Sequence, residues 1–143
     1  MLALVGVTDT LGLDPLGNLE DSPLSLVSWI EEGLPVAALD RVSRLLAPTD
    51  NQFKYRIVPK ATYERRKSSL RLSPEEGTRL ARIARVWNLA LDIWQDPEEA
   101  RAFLFRPHAM LRDRPPIEVV IQNELGAELV FDILGALKYG SAA

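Results

Sequence analysis

Residues 73–94, SPEEGTRLARIARVWNLALDIW, constrain the fold more than any other stretch of this chain. Ser73 suits a helix N-cap, Pro74 fits the first helical position, and Glu76 stands three residues after the serine. This is a capping-box pattern, which satisfies free backbone N–H groups and puts acid at the positive helix end. Leu80, Ile83, Ala84, Trp87, Ala90, Leu91 and Trp94 then recur at steps of three and four, the spacing of one buried helical face. Arg79, Arg82, Arg85 and Asp92 fall mostly off that stripe. The pattern predicts an amphipathic helix of about six turns. It carries no chemistry of its own, so function must come from what surrounds it.

The flanks also read as helices. Ser22-Pro23 is a helix-start pair, with Leu26, Val27 and Ile30 forming a short apolar face stopped by Gly33. Pro35 starts another helix with Leu39, Val42 and Leu46 in phase, and Trp29 is placed to close the two together. Thr49-Asp50-Asn51-Gln52 offers a second capping box before residues 53–58. After the break at Pro59-Lys60-Ala61, Thr62 is the expected cap for Tyr63-Glu64-Arg65-Arg66-Lys67. Two short helices joined by a turn, the second dense in arginine, form a helix-turn-helix pattern. Downstream, Asp96-Pro97-Glu98-Glu99 caps a helix that buries Ala100, Phe103 and Leu104. Pro115-Pro116 opens another with Ile117, Val120 and Ile121 inward. Gly126 interrupts, and Leu129, Val130, Ile133, Leu134 and Leu137 continue as a last amphipathic helix ending at Gly140. No strand pattern competes, so the fold class is all-α. Residues 1–21, punctuated by Gly6, Gly12, Pro15 and Gly17, are expected to be a loose arm.

Catalysis finds no support. The carboxylate pairs Glu75/Glu76 and Glu98/Glu99 sit in first helical turns, where acids cap, and adjacent helical residues do not share a face. His108 is the only histidine and there is no cysteine, so a two-histidine metal site, a thiolate site and a disulfide are excluded within the chain. No glycine-rich phosphate loop or nucleophile elbow appears. The expectation is no catalytic residue, no metal and no cofactor. The apolar run at residues 1–7 is far too short to span a bilayer and lacks a secretory leader's basic start, so a cytoplasmic protein with no membrane partner is expected.

The net charge of −3 conceals a segregation. Residues 1–53 carry −6, residues 54–71 carry +6, and residues 86–143 carry −4. A basic middle between acidic ends suggests one surface that meets a polyanion. The candidate DNA-binding residues are Lys54, Arg56, Lys60, Thr62, Tyr63, Arg65, Arg66 and Lys67. Arginine forks match guanine edges and lysines serve as phosphate contacts. The alternative is a solvated basic face paired with the acidic arm. The tail Lys138, Tyr139, Gly140, Ser141, Ala142 and Ala143 is small and uncharged after its lysine; it is either a fraying helix end or a low-bulk segment able to enter a partner's cleft.

Residues 57–67, IVPKATYERRK, are similar to the "IP..T...R" stretch of Xre/MbcA/ParS-like antitoxins. Leu72-Ser73-Pro74-Glu75-Glu76, Arg79-Leu80, Ala84-Arg85-Val86, Ala90, Ala100, Leu104, Pro107, Leu111, Pro116, the Gly126 break and Tyr139-Gly140 continue the likeness in order over about residues 55–143. Trp94-Gln95-Asp96 replaces the family's usual Phe-Gly-Asp, Phe103 stands where tryptophan is common, and Arg112-Asp113-Arg114-Pro115 replaces a glycine-containing turn. The resemblance implies the antitoxin of a type II toxin–antitoxin pair that binds a RES/ParT-type toxin, an NAD-consuming or ADP-ribosylating enzyme, and represses its own operon. NAD would belong to the toxin. The likeness does not extend to residues 1–21, read as an arm, and fits residues 23–54 only loosely; the division is an arm over residues 1–21, a helix-turn-helix region over 22–71 and a helical toxin-binding domain over 72–143. In that scheme residues 138–143 block the toxin's active site, and a homodimer binds a near-palindromic operator within a hetero-oligomeric complex. A stand-alone helix-turn-helix regulator is the alternative, and a pure protein-binding adaptor a further one.

Overall fold

A computed structural model describes residues 6–13 and 23–140. Helices α1 Val7–Thr10, α2 Pro23–Glu32, α3 Val36–Leu46, α4 Lys54–Ile57, α5 Lys60–Ser69, α6 Pro74–Trp94, α7 Pro97–Phe105, α8 Pro116–Gln122 and α9 Glu124–Tyr139 follow in order, with a 3-10 turn at Ala109–Leu111. There is no strand among the described residues; two isolated bridges, Pro35 with Arg71 and His108 with Arg114, tie loops together. The all-α expectation is met.

Helix α6 is the axis, and α1, α2, α3, α4, α7, α8 and α9 all pack on it. It begins as its sequence dictates. Ser73 Oγ accepts from the Glu76 N–H at 3.2 Å, and Glu76 Oε1 accepts from the Ser73 N–H at 2.8 Å. Leu80, Ile83, Ala84, Trp87 and Ala90 are buried, whereas Leu91 and Trp94 are half-buried near the helix end. Partners wrap more of this helix than one stripe requires, so Ala81, Arg82 and Val86 are buried too. Arg82, expected off the stripe, donates from Nε to Val120 O and from Nη2 to Ile121 O, both at 2.7 Å. One guanidinium on α6 thereby closes the last carbonyls of α8, which a helix end leaves without intrahelical partners.

Several local expectations shift. The loose arm does not describe residues 6–13: α1 lies on α6 with Val7, Leu11 and Leu13 buried. Thr10 Oγ1 donates to Asn88 Oδ1, and Arg41 Nε donates to Thr10 O at 3.0 Å. Gly6 and Gly12, which break the periodicity, have φ of +81° and +73° and bracket this turn of helix. The other residues of 1–21, with Ser22, lie outside the described residues. Asp50 accepts from the Gln52 N–H at 2.9 Å in a local turn instead of capping α4. Thr62 caps nothing, because α5 starts two residues earlier, directly after Pro59. The final break falls at Asn123, whose Oδ1 accepts from the Gly126 N–H at 2.6 Å, and Gly126 lies inside α9. It is glycine because α8 passes over it: an added Cβ would sit 2.4 Å from Val119 O. Val27, Leu129 and Leu137, expected inward, are exposed.

Candidate functional site

Helices α4 and α5 meet at Val58-Pro59. Val58 is extended, Pro59 lacks a donor and cannot continue α4, and its position just before α5 suits the start of a helix. Three anchors then fix α5. Tyr63 is buried, and its hydroxyl donates to Asp40 Oδ1 of α3 at 2.9 Å. Lys54 Nζ donates to the same phenol oxygen at 3.2 Å and lies 4.3 Å from the ring centroid. Burial alone would lower the Lys54 pKa, but the phenol and Asp40 together raise it. One turn further along the same face, Arg66 places Nε 3.0 Å and Nη2 3.3 Å from the two Glu76 carboxylate oxygens. Backbone pairs Val36 N–Leu70 O (3.1 Å) and Leu72 N–Leu34 O (2.8 Å) hold the helix end, where Leu70 has φ +63°.

This sorting divides the eight candidate DNA-binding residues. Tyr63, Arg66 and Lys54 are engaged inside the protein. Arg56, Lys60, Arg65 and Lys67 are exposed, with Thr62 half-buried among them. Lys67 pairs with the exposed Glu64 at 3.5 Å, a pair of small energetic weight, and its Nζ lies 5.6 Å from the Tyr63 ring centroid. The surface of α5 is thus cationic and its underside is locked. Sequence reasoning missed Asp40, the acceptor that takes Tyr63 off the surface. It placed Glu76 as a cap and missed its second partner Arg66, which arrives from another helix with no local signal.

Burial would raise the Glu76 pKa, but the Arg66 fork and the Ser73 N–H outweigh it and hold the carboxyl below its ordinary value of 4.5. A depressed folded-state value means that the carboxylate's stabilisation is full above 4.5 and disappears as pH falls through the folded value. Glu76→Gln is therefore expected to lower stability by about 1–2 kcal/mol at pH 7, with the gap closing as pH falls below 4.5. Denaturant midpoints of both chains across that range check it; a gap independent of pH would show that the charge is immaterial.

At the other end, α9 stops at Gly140, which has φ +68°. Lys138 Nζ lies 2.7 Å from Asp92 Oδ2 of α6, and that carboxylate raises the lysine's pKa. Tyr139 is 66 % exposed. Ser141, Ala142 and Ala143 lie outside the described residues. His108 is half-buried: its Nδ1 accepts from the Met110 N–H at 3.2 Å, and its ring meets Phe103 edge-on. Among the described residues no His, Asp or Glu cluster could hold a metal ion, and no helix is long and apolar enough to cross a membrane.

Comparison with known proteins matches both halves. Residues 25–85 match the "Antitoxin Xre-like helix-turn-helix domain" family. Residues 89–140 match the "Antitoxin Xre/MbcA/ParS C-terminal toxin-binding domain" family. A relative described as "Antitoxin Xre", from Yersinia enterocolitica serotype O:8 / biotype 1B (strain NCTC 13174 / 8081), is 30% identical over 118 residues, covering 80% of this chain and 79% of the relative.

Proposed function

The chain belongs to the Xre antitoxin family, and from that premise we propose that it neutralises a cognate RES/ParT-type toxin by seating its carboxyl-terminal tail in that enzyme's NAD-using active site. As a homodimer in the cytoplasm, it also represses its own operon. Arg56, Lys60, Thr62, Arg65 and Lys67 face the operator, and Lys54, Tyr63 and Arg66 hold α5 in register from behind. Residues 138–143 are the plug. The chain contributes occupancy and not chemistry, so NAD stays with the toxin.

One observation carries this reading: the segment matching a toxin-binding domain closes on a helix whose last residue, Tyr139, stands in solvent beside Gly140, whose left-handed backbone ends the helix. A tail leaving a rigid helix has less freedom to lose when it enters a cleft than one leaving a flexible loop. The decisive experiment is co-expression with the product of the adjacent gene. Co-purification and loss of that product's NAD consumption support the reading, and a chain that purifies alone overturns it.

The DNA half has its own test. Replacing Arg65 and Lys67 with alanine is expected to weaken operator binding roughly 10- to 100-fold and to flatten the salt slope by about 0.9 for each lost phosphate contact. Toxin binding should be unchanged. Arg66 is unsuitable for this purpose because its removal unseats Glu76. Gel shifts at two salt concentrations, with a toxin pull-down in parallel, give the result; equal loss of both activities would place Arg65 and Lys67 in the fold.

A further inference from the structure

We propose that a groove between α9 and the 3-10 turn Ala109–Leu111 receives an apolar ridge from the body of the toxin, flanked there by lysine or arginine. The inference rests on the toxin-binding reading above and adds a second contact, separate from the tail. The groove has a volume of about 350 Å³, and its walls include Met110, Leu111, Leu129, Ile133 and Leu137, with Asp132 as the acidic member. Met110 is 76 % exposed, Leu129 49 % and Leu137 45 %. Leu125, Leu129, Ile133 and Leu137 recur at steps of four, so one edge of α9 presents a continuous apolar line. Leu125, one turn beyond the groove, is itself 71 % exposed. The His108 Nδ1, by accepting the Met110 N–H, fixes the turn from which Met110 projects. A contiguous apolar surface of this kind marks a protein contact.

Three features choose the occupant. The lining lies wholly within residues 89–140, the segment that matches a toxin-binding domain. Leu137, the last residue of the lining, stands two residues before Tyr139, so the groove runs up to the root of the proposed tail. Glu128 and Asp132, on the same outer side of α9, are exposed and have no ion pair among the described residues. A second copy of this segment brings a net negative charge of −4 over residues 86–143, whereas a basic flank would satisfy these carboxylates.

The test uses the full chain and a catalytically inactive form of the adjacent gene's toxin. Leu129→Glu is expected to weaken toxin binding about 100-fold, and Asp132→Lys about 10-fold with a slower, less salt-sensitive association. Operator affinity, circular dichroism and native mass should stay those of the natural chain. Should Leu129→Glu disturb the circular dichroism, Met110→Glu on the exposed turn replaces it. Unchanged toxin binding by the glutamate variant overturns the proposal, as does a fall in native mass with toxin binding intact, which would assign the groove to a second copy. A natural chain that binds no toxin removes the parent reading and this one together. Lost binding by Leu129→Glu, with a tailless chain still neutralising, would keep the groove and reject the plug; the reverse pattern would keep the plug and reject the groove.

Discussion

A chain lacking residues 139–143 is expected to lose all protection against its toxin while holding operator affinity to within about twofold, as distant and independent sites do. Nothing the core needs is removed. Tyr139 is exposed, only the last helical residue and its Gly140 cap are cut from α9, and the Lys138–Asp92 pair that fastens the end of that helix stays in place. What disappears is the segment that, on the proposed reading, enters the toxin's active site. The truncated chain retains the groove beside α9, so it is expected to bind toxin more weakly but measurably, and to leave its NAD chemistry running. Growth of cells expressing toxin with either chain, and NAD consumption by the purified complexes, read the two effects separately. Full protection by the truncated chain would reject the plug.

The second large effect concerns stability. Arg82→Met is expected to cost about 3 kcal/mol, because two buried carbonyls lose charge-assisted partners at once, and to lower Tm by roughly 10 °C. Arg82 is nearly buried, with Nε and Nη2 on Val120 O and Ile121 O and Nη1 3.9 Å from the exposed Glu124 carboxylate. Burial lowers its pKa, Glu124 offsets part of that, and Arg79 adds to the lowering. Methionine keeps the volume of the stem and removes the fork. Arg82→Lys should fall between the two, since an ammonium does not reproduce the planar pair of bonds. Thermal melts of the three chains check the order, and a methionine variant that melts with the natural chain would mean that water replaces the guanidinium.

The same arginine shows where sequence reasoning stops. Capping and periodicity are local, and they placed α6 from Ser73 to Trp94, the Asp96 cap of α7 and the Gly140 end of α9. They are blind to the number of neighbours. Arg82 looked like a solvent residue because it lies off the apolar stripe, yet α8 and α9 cover that side as well. Leu129 and Leu137 looked inward because they fit the period of α9, yet the described chain leaves about half of each uncovered. The short α1 escaped notice because one turn of helix has no period to detect. At the candidate site, charge located the basic segment between α4 and α5. It could not separate the cations that face outward from Lys54, Tyr63 and Arg66, whose partners Asp40 and Glu76 come from α3 and α6. A capping-box glutamate and a surface arginine are each ordinary in sequence; only the packing of α5 on α6 joins them.

The two family matches end at residue 85 and begin at residue 89, and both limits fall within the unbroken helix Pro74–Trp94. No natural seam exists there. Chimeras that exchange toxin specificity between relatives cannot be spliced at that point as if at a linker, because the same rod supplies Leu80, Ile83 and Ala84 to one side and Arg82 to the other. On the proposed reading, operator and toxin are gripped from different parts of one rod, and diversification of either grip must conserve the shaft.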